Sequence, residues 1–240
     1  MRINVYVSST GHCSRREADR LVAAGRIAVN GVNAVIGMDV SDDDKVTVDG
    51  KTIGRKKPPI YLAFHKPTGI ESTTDLAKKD NIIAYIGHSE RIFPVGRLDK
   101  DTSGLILLTN DGQIVNKILR VENQHEKEYL VEVDLPIDDA FVEQLSAGVV
   151  IYNPVRHENV KTNPCRIEPI GPTTFRIVIT QGLNLQIRRM CQTQDRHVIA
   201  LKRIRIMNIV LGSLPVGIWR HLTKPEMTDL QQLLSGESKG

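Results

Sequence analysis

The sequence predicts an α+β protein: a small N-terminal module, then a larger domain built on a mixed, largely antiparallel sheet flanked by helices. Three observations carry this. Apolar runs of strand length outnumber segments with helical spacing. Several of those runs are joined by turns too short for the crossovers that parallel neighbours need. A basic, proline-containing stretch from Lys51 to Pro59 separates an early group of elements from a later one. The expected organisation is residues 1–50 as the first module, 51–59 as a linker and 60–240 as the second domain. An apolar content of 40% is ample for a core, and an aromatic content of 4% makes that core mostly aliphatic.

In the first module, Ser14-Arg15-Arg16-Glu17 fits a capping box, with Ser14 as N-cap and Glu17 at the third helical position. Ala18, Leu21 and Val22 give the helix one apolar face, and Gly25 is its expected stop. Arg26 to Val32 reads as a short strand entering the Asn30-Gly31 turn, a strong hairpin signal. Lys45 to Gly50 adds a second strand and turn. The polar side of the helix carries Arg15, Arg16 and Arg20, which charge alone leaves open between a solvated face paired with Glu17 and Asp19 and a polyanion contact. In the linker, Pro58 and Pro59 favour extended chain while Arg55, Lys56 and Lys57 keep it solvated.

The second domain opens with an apolar strand, Ile60 to Phe64, stopped by the Pro67-Thr68-Gly69 turn. Ile82, Ile83, Tyr85 and Ile86 suggest a short helix. Leu105 to Leu108 has the length of a buried strand, and Thr109 to Gly112 turns the chain into a helix with Ile114, Val115, Ile118 and Leu119 on one face. Lys127 to Val133 alternates as a strand, with Tyr129, Val131 and Val133 together. A helix from Asp138 to Ala147, a strand from Thr174 to Thr180 and a helix from Leu185 follow, then two strands around His197–Leu201 and Ile204–Leu211. A second capping box, Thr223 to Glu226, starts a closing helix through Leu230, Leu233 and Leu234, and the tail from Gly236 should fray.

Composition excludes several classes. Cys13, Cys165 and Cys191 show no CxxC spacing, and with seven scattered histidines they form no zinc pattern. Free thiols in a reducing cytosol are expected, with no metal and no cofactor. The N-terminus lacks the apolar core of a signal peptide, and no run approaches the ~18 apolar residues of a membrane span. A cytoplasmic protein with no membrane partner is expected, acting as a monomer. The net charge of +4 is mild, so the placement of cations matters more than their sum.

The stretch with the most chemistry is Pro94 to Gly104. It packs Arg97, Asp99, Lys100 and Asp101 between glycines, directly before the Leu105–Leu108 strand. Glycines let a loop bend sharply close to a ligand, and the charged groups then sit at the lip of the core.

Taken together, G-R-L-D-x-D-T-S-G-L at 96–105, K-x-Y at 127–129 and G-L-N-x-Q-I-R-R-M at 182–190 resemble the pseudouridine synthases. Within them the chain resembles the ribosomal-RNA branch, the RsuA, RluB and RluF group. It is nearest the RluF-like members by 182–190 and Arg205-Ile206-Met207-Asn208. The capped basic helix followed by R-I-x-V-N-G resembles the S4 RNA-binding module. The resemblance implies that a uridine in structured RNA, ribosomal and in one extension transfer RNA, is isomerised to pseudouridine. It assigns Asp99 as nucleophile, Tyr129 as the ring that stacks on the target base and assists proton transfer, and Arg188 as the partner of the Asp99 carboxylate. Arg15, Arg16 and Arg20 would meet RNA phosphates. Arg97 and Lys100 would organise the loop or meet phosphate, and Arg189 would touch phosphate or stay on the helix surface. Lys202, Arg203 and Arg205 would extend a basic track to the site. Asp101 is expected to be a loop organiser, its oxygens accepting backbone N–H groups. Leu185 stands where relatives usually carry a basic or polar residue.

Two other readings compete. Asp101-Thr102-Ser103-Gly104 resembles an aspartic-protease signature, but there is one copy, flanked by Arg97 and Lys100, which oppose a shared-proton dyad. The second is an inactive RNA-binding or ribosome-assembly protein on the same fold.

Overall fold

The computed structural model describes residues 1–54, 57–119 and 124–236. Arg55 and Lys56 of the expected linker, and the tail beyond Gly236, lie outside the described residues. The chain divides into two compact units, one made of residues 1–60 with 89–92 and 110–112, the other of the remainder.

The first unit starts with a helix that periodicity did not single out, α1 (Ile3–Ser9). Its buried residues Ile3, Tyr6 and Val7 follow helical spacing over too short a stretch to stand out. In α2 (Arg15–Ala23) the Ser14 hydroxyl accepts the Glu17 N–H at 3.1 Å. The reciprocal half of the expected capping box is absent, because the Glu17 carboxylate accepts from Arg20 at 3.1 Å. Strands β1 (Ile27–Val29), β2 (Val32–Asn33), β3 (Val46–Val48) and β4 (Lys51–Thr52) form an antiparallel sheet in the order β2-β1-β3-β4. Asn30 and Gly31, with φ of 51° and 83°, make the left-handed pair that a two-residue hairpin turn needs. Asp49 and Gly50 repeat it at 50° and 75°, so Lys51 and Thr52 pair with β3 instead of beginning the linker. Ala18, Leu21 and Val22 join Ile3, Tyr6 and Ile27 in the core of this unit.

The second unit is organised by β5 (Tyr61–Lys66), α3 (Ile82–Ile86), β6 (Phe93–Val95), β7 (Ser103–Thr109), α4 (Gly112–Leu119) and β8 (Lys127–Val133). It continues through α5 (Asp139–Ser146), a separate ribbon of β9 (Val150–Asn153) and β10 (Glu158–Lys161), β11 (Arg166–Pro169), β12 (Thr174–Ile179) and α6 (Gln186–Gln192). It ends with β13 (Val198–Ile206), β14 (Ile209–Val210), β15 (Trp219–His221) and α7 (Lys224–Ser235). The main sheet runs β11-β12-β8-β13-β7-β5-β15. Along that order neighbours are antiparallel except β13 and β7, which lie parallel. The sheet is mixed and largely antiparallel, as the short turns implied.

The two strands expected between His197 and Leu211 are one nine-residue strand, β13, followed by the short β14. Register shifts between Val198 and Ala200 and between Arg203 and Arg205 break its alternation, which is why it reads as two pieces. At the end of the chain Thr223 and Glu226 complete a capping box, and Arg220 grips the Glu226 carboxylate with two bonds of 2.7 Å. In α7 only Leu230 is fully buried, while Leu233 is exposed. The three thiols are free, and burial pushes those of Cys165 and Cys191 up to about 11 and about 12. Among the described residues no helix is long and apolar enough to cross a membrane, and no His, Cys, Asp and Glu group has the spacing to hold a metal.

Candidate active site

The loop that leaves β6 turns at Gly96, whose φ of 77° suits glycine. Beyond it Leu98 is buried and Asp99 is exposed. Every main-chain carbonyl from Leu98 to Asp101 has a partner. That of Leu98 accepts the Ser72 hydroxyl at 2.8 Å, while the Leu98 N–H donates back to the same oxygen at 3.1 Å. That of Asp99 accepts the Thr102 N–H at 3.1 Å, and that of Lys100 accepts the Gly69 N–H at 2.8 Å. That of Asp101 accepts Arg188 Nη2 at 3.1 Å. A loop so fully bonded holds its backbone in place without help from a ligand.

Behind the loop stands Lys66, the last residue of β5 and fully buried. Its ammonium donates to the carbonyls of Pro67 at 2.8 Å, Ile70 at 2.7 Å and Lys100 at 3.3 Å. Burial, helped by the Arg203 guanidinium, pushes it down to about 8, with Asp101 and Asp99 pulling the other way.

Beside the loop is a cavity of about 400 Å³, bordered by Asp99 and Thr102 on one side and by Tyr129 and Arg203 of adjacent strands on the other. That volume lies in the range of small-ligand pockets. Tyr129 on β8 and Arg203 on β13 are register partners, both buried. Arg203 Nε donates to the Leu105 carbonyl at 2.7 Å, Nη1 lies 3.5 Å from the Tyr129 hydroxyl, and the guanidinium carbon lies 5.9 Å from the ring centroid. Lys127, two residues earlier on the same face of β8, also lines the cavity. Its ammonium is pushed down to about 8, by burial first and then by Arg203. Leu185 lines the cavity from the start of α6 and holds φ at 51°, a conformation unusual for a bulky residue.

Gly104 ties the two sides together. It sits opposite Arg203 in the parallel pairing of β7 with β13 at φ 105°, and an added Cβ would lie 2.2 Å from the Arg203 carbonyl oxygen. Only glycine fits there.

The structure brings Asp99, Tyr129 and Arg188 to one cavity. It corrects how Arg188 acts. Its guanidinium donates to the Val198 carbonyl at 3.0 Å and the Asp101 carbonyl, and no ion pair with Asp99 is formed among the described residues. It therefore steadies the loop by its backbone. Asp101 organises the loop through that carbonyl, not through its exposed carboxylate. The basic track also needs correction. Arg203 is buried in the cavity wall, and Arg205 is already neutralised by Glu128 at 2.7 Å and Glu126 at 2.8 Å. Arg189 Nη1 donates to the Tyr152 carbonyl at 2.9 Å and Lys100 pairs with Asp80, while Arg97 is exposed at the cavity border and Lys202 is half-buried. In the first unit Arg20 pairs with Glu17, Arg15 is half-buried, and Arg16 is exposed without an ion-pair partner among the described residues.

Sequence reasoning did not single out Ser72, Lys66 or Lys127 as site residues. The signal for Lys66 was present: a lysine two residues beyond the unbroken apolar run Tyr61–Phe64 still lies in reach of a strand buried on both faces. Ser72 carries no such mark, because a serine in a polar loop is commonplace.

Comparison with known proteins defines the class. Residues 60–193 match the RNA pseudouridylate synthase family and residues 1–40 match the S4 domain. The chain belongs to the RNA pseudouridine synthases, isomerases that convert uridine in RNA to pseudouridine. It is 48% identical, over 240 residues, to the dual-specificity RNA pseudouridine synthase RluF of Escherichia coli (strain K12), spanning 99% of this chain and 81% of that one. It is 32% identical to the ribosomal large subunit pseudouridine synthase B of Bacillus subtilis (strain 168), covering 97% of this chain and 96% of that one. A crystal structure of a pseudouridylate synthase superposes with a TM-score of 0.70 at 25% identity, covering 96% of this chain and 99% of that one. The protease reading falls with this assignment, and the inactive reading has no support.

Proposed function

We propose that this enzyme isomerises a uridine of structured large-subunit ribosomal RNA, with Asp99 as the nucleophile. The observation that carries the reading is the loop with its four bonded carbonyls, which fixes Asp99 at a cavity shared with Tyr129. The reaction breaks the N1–C1′ bond of uridine, turns the base and forms a C5–C1′ bond, so the base must be held while it is detached. A carboxylate oxygen that bonds to the nucleotide in the meantime does this, and leaves again when the new bond closes. The proton lost from C5 is balanced by one gained at N1. No electrons are exchanged overall, so the chemistry requires no redox cofactor.

Tyr129 presents a ring on which the flipped base stacks. Arg188 is a positioning residue that holds the Asp101 carbonyl and so the turn that carries Asp99. Arg15, Arg16 and Arg20 of the S4 module meet phosphates, and the exposed Arg97 suits the same role at the cavity border. Transfer RNA as a second substrate is in keeping with the dual-specificity named for the Escherichia coli relative. The enzyme acts in the cytoplasm as a monomer.

The test is Asp99→Asn, assayed by tritium release from RNA labelled at uracil C5. Release is expected to vanish while RNA affinity stays within about twofold, the near-isosteric change leaving the loop's backbone bonds intact. Release near the wild-type rate would remove Asp99 from the mechanism.

A further inference from the structure

The wall of the cavity carries two cations that have no counter-ion among the described residues. Arg203 is 4% exposed, and although Nε and Nη1 have partners, Nη2 has none. Among the described residues Lys127 reaches only the His125 carbonyl, at 3.4 Å, a weak bond for an ammonium. Neither forms an ion pair among the described residues, and each lies near enough to the other for Arg203 to disfavour the charged form of Lys127. Burying like charges together without an anion opposes folding. By contrast, Arg205, Arg176 and Arg220 on the same sheet all have carboxylates. The cavity wall is thus a place where positive charge is kept uncompensated.

We propose that Lys127 takes a carbonyl oxygen of the target uracil and, with the Arg203 guanidinium behind it, stabilises the negative charge that the base acquires while its bond to ribose is broken. The inference rests on the synthase reading and adds to it one catalytic residue, Lys127, with Arg203 as its electrostatic support. The charge is required by either order of steps. If Asp99 bonds to C1′, the N1–C1′ electron pair stays on N1 and spreads to O2 and O4. If Asp99 bonds to C6 first, the C5–C6 π pair moves through C4 onto O4. In both cases O4 becomes anionic, and the pair is returned when C5 bonds to C1′. Donors fixed before the charge develops stabilise it without reorganisation. An RNA phosphate is the other anion at hand, but it brings two sugars with it and suits an exposed cation. Lys127, half-buried in the cavity lining, is the donor open to a base edge, while Arg203 Nη2 is sealed from solvent and adds its charge from behind.

The experiment compares wild type, Lys127→Met, Arg203→Gln and Asp99→Asn in single-turnover reactions on large-subunit ribosomal RNA labelled with tritium at uracil C5. RNA affinity is measured alongside. Loss of one such donor is expected to slow the reaction about 100-fold and leave the dissociation constant within about twofold. A second arm uses an RNA fragment spanning the modified site, with oxygen 4 of that uridine replaced by sulfur and the product nucleoside resolved by chromatography. Sulfur should slow the wild type and add little to the loss in Lys127→Met, the non-additivity expected of groups in contact. Additive losses, a rate within about threefold of wild type, or affinity falling in step with rate would each overturn the inference, the last assigning the cations to phosphate. If Arg203→Gln does not fold, Lys127→Met decides, since that side chain is half-buried and not part of the Leu105 contact. Absence of tritium release from the wild type would instead sink the synthase reading on this RNA.

Discussion

The loop from Leu98 to Asp101 and the wall formed by β8 and β13 border the same cavity and are built on opposite terms. In the loop, every carbonyl has a donor and the charged side chains are exposed. In the wall, the charged groups are buried or half-buried, and Arg203 Nη2 and the Lys127 ammonium are left short of acceptors. The difference separates two tasks. Under the proposed role of Asp99, a nucleophile must be aimed before substrate arrives, which calls for a backbone with no hydrogen-bonding capacity to spare. A site that meets charge only during the reaction must keep donors in reserve, and the stability this forfeits is supplied by the aliphatic core around it.

The largest effect should come from breaking the seam between the two regions. Gly104→Ala places a methyl 2.2 Å from the Arg203 carbonyl oxygen, at φ 105°, where an L side chain is strained as well. The contact is backbone against backbone in a parallel strand pair, so neither side can yield by turning a rotamer. A loss on the order of 4 kcal/mol is expected, enough to unfold a marginally stable domain. Urea denaturation of the variant checks this. A midpoint close to that of the wild type would mean the strands separate easily and do not fix the loop against the wall.

A smaller and more informative change is Ser72→Ala. It removes one oxygen and leaves both the N–H and the carbonyl of buried Leu98 without their partner, at roughly 1–3 kcal/mol for each buried group left unpaired. Because Leu98 precedes Asp99, the proposed nucleophile should lose its aim while the proposed phosphate contacts stay. The expected signature is a kcat reduced about tenfold or more with KM little changed. Ser72→Cys, with a weaker donor and acceptor at the same place, should fall between. If both kinetic constants moved together, the loop would owe its order to something other than these bonds.

Much of this was legible in the chain, and the reasons differ by region. The β8 strand was readable because Tyr129, Val131 and Val133 alternate on a sheet with one buried face. The hairpin at Asn30-Gly31 was readable because only a few residue pairs adopt two left-handed conformations in a row. The motif around Asp99 located the loop, and nothing in it could say that the loop is held by its carbonyls, since backbone bonds to Ser72, Gly69 and Arg188 bridge long sequence separations. The same limit explains Arg203. Its neighbours Lys202 and Arg205 suggested a surface track, but Arg203 alternates inward with buried Leu201 and pairs with Tyr129, and the register shift after it takes Arg205 off that face. The short strands β6, β9, β10, β11 and β15 were not predicted, because three or four residues are too few for an alternating pattern to show.

The smallest expected effect tests whether an unpartnered cation means the same thing at the surface. Arg16 is exposed and, like the Lys127–Arg203 pair, has no carboxylate among the described residues. Water satisfies it, so its lack of a partner opposes folding little, and Arg16→Ala should leave the unfolding midpoint unchanged. Its contribution is electrostatic and appears only with RNA. The slope of log affinity against log salt should become shallower by roughly 0.7, one phosphate contact's share on a single strand. The single-turnover rate at saturating RNA should stay the same, because the charge acts before the base enters the cavity. Lys127→Met should do the reverse, slowing the bound reaction and leaving the salt slope alone. A variant of Arg16 that slowed the bound reaction would show that the arginines of the first unit take part in more than capture, and an unchanged slope would remove Arg16 from the RNA path.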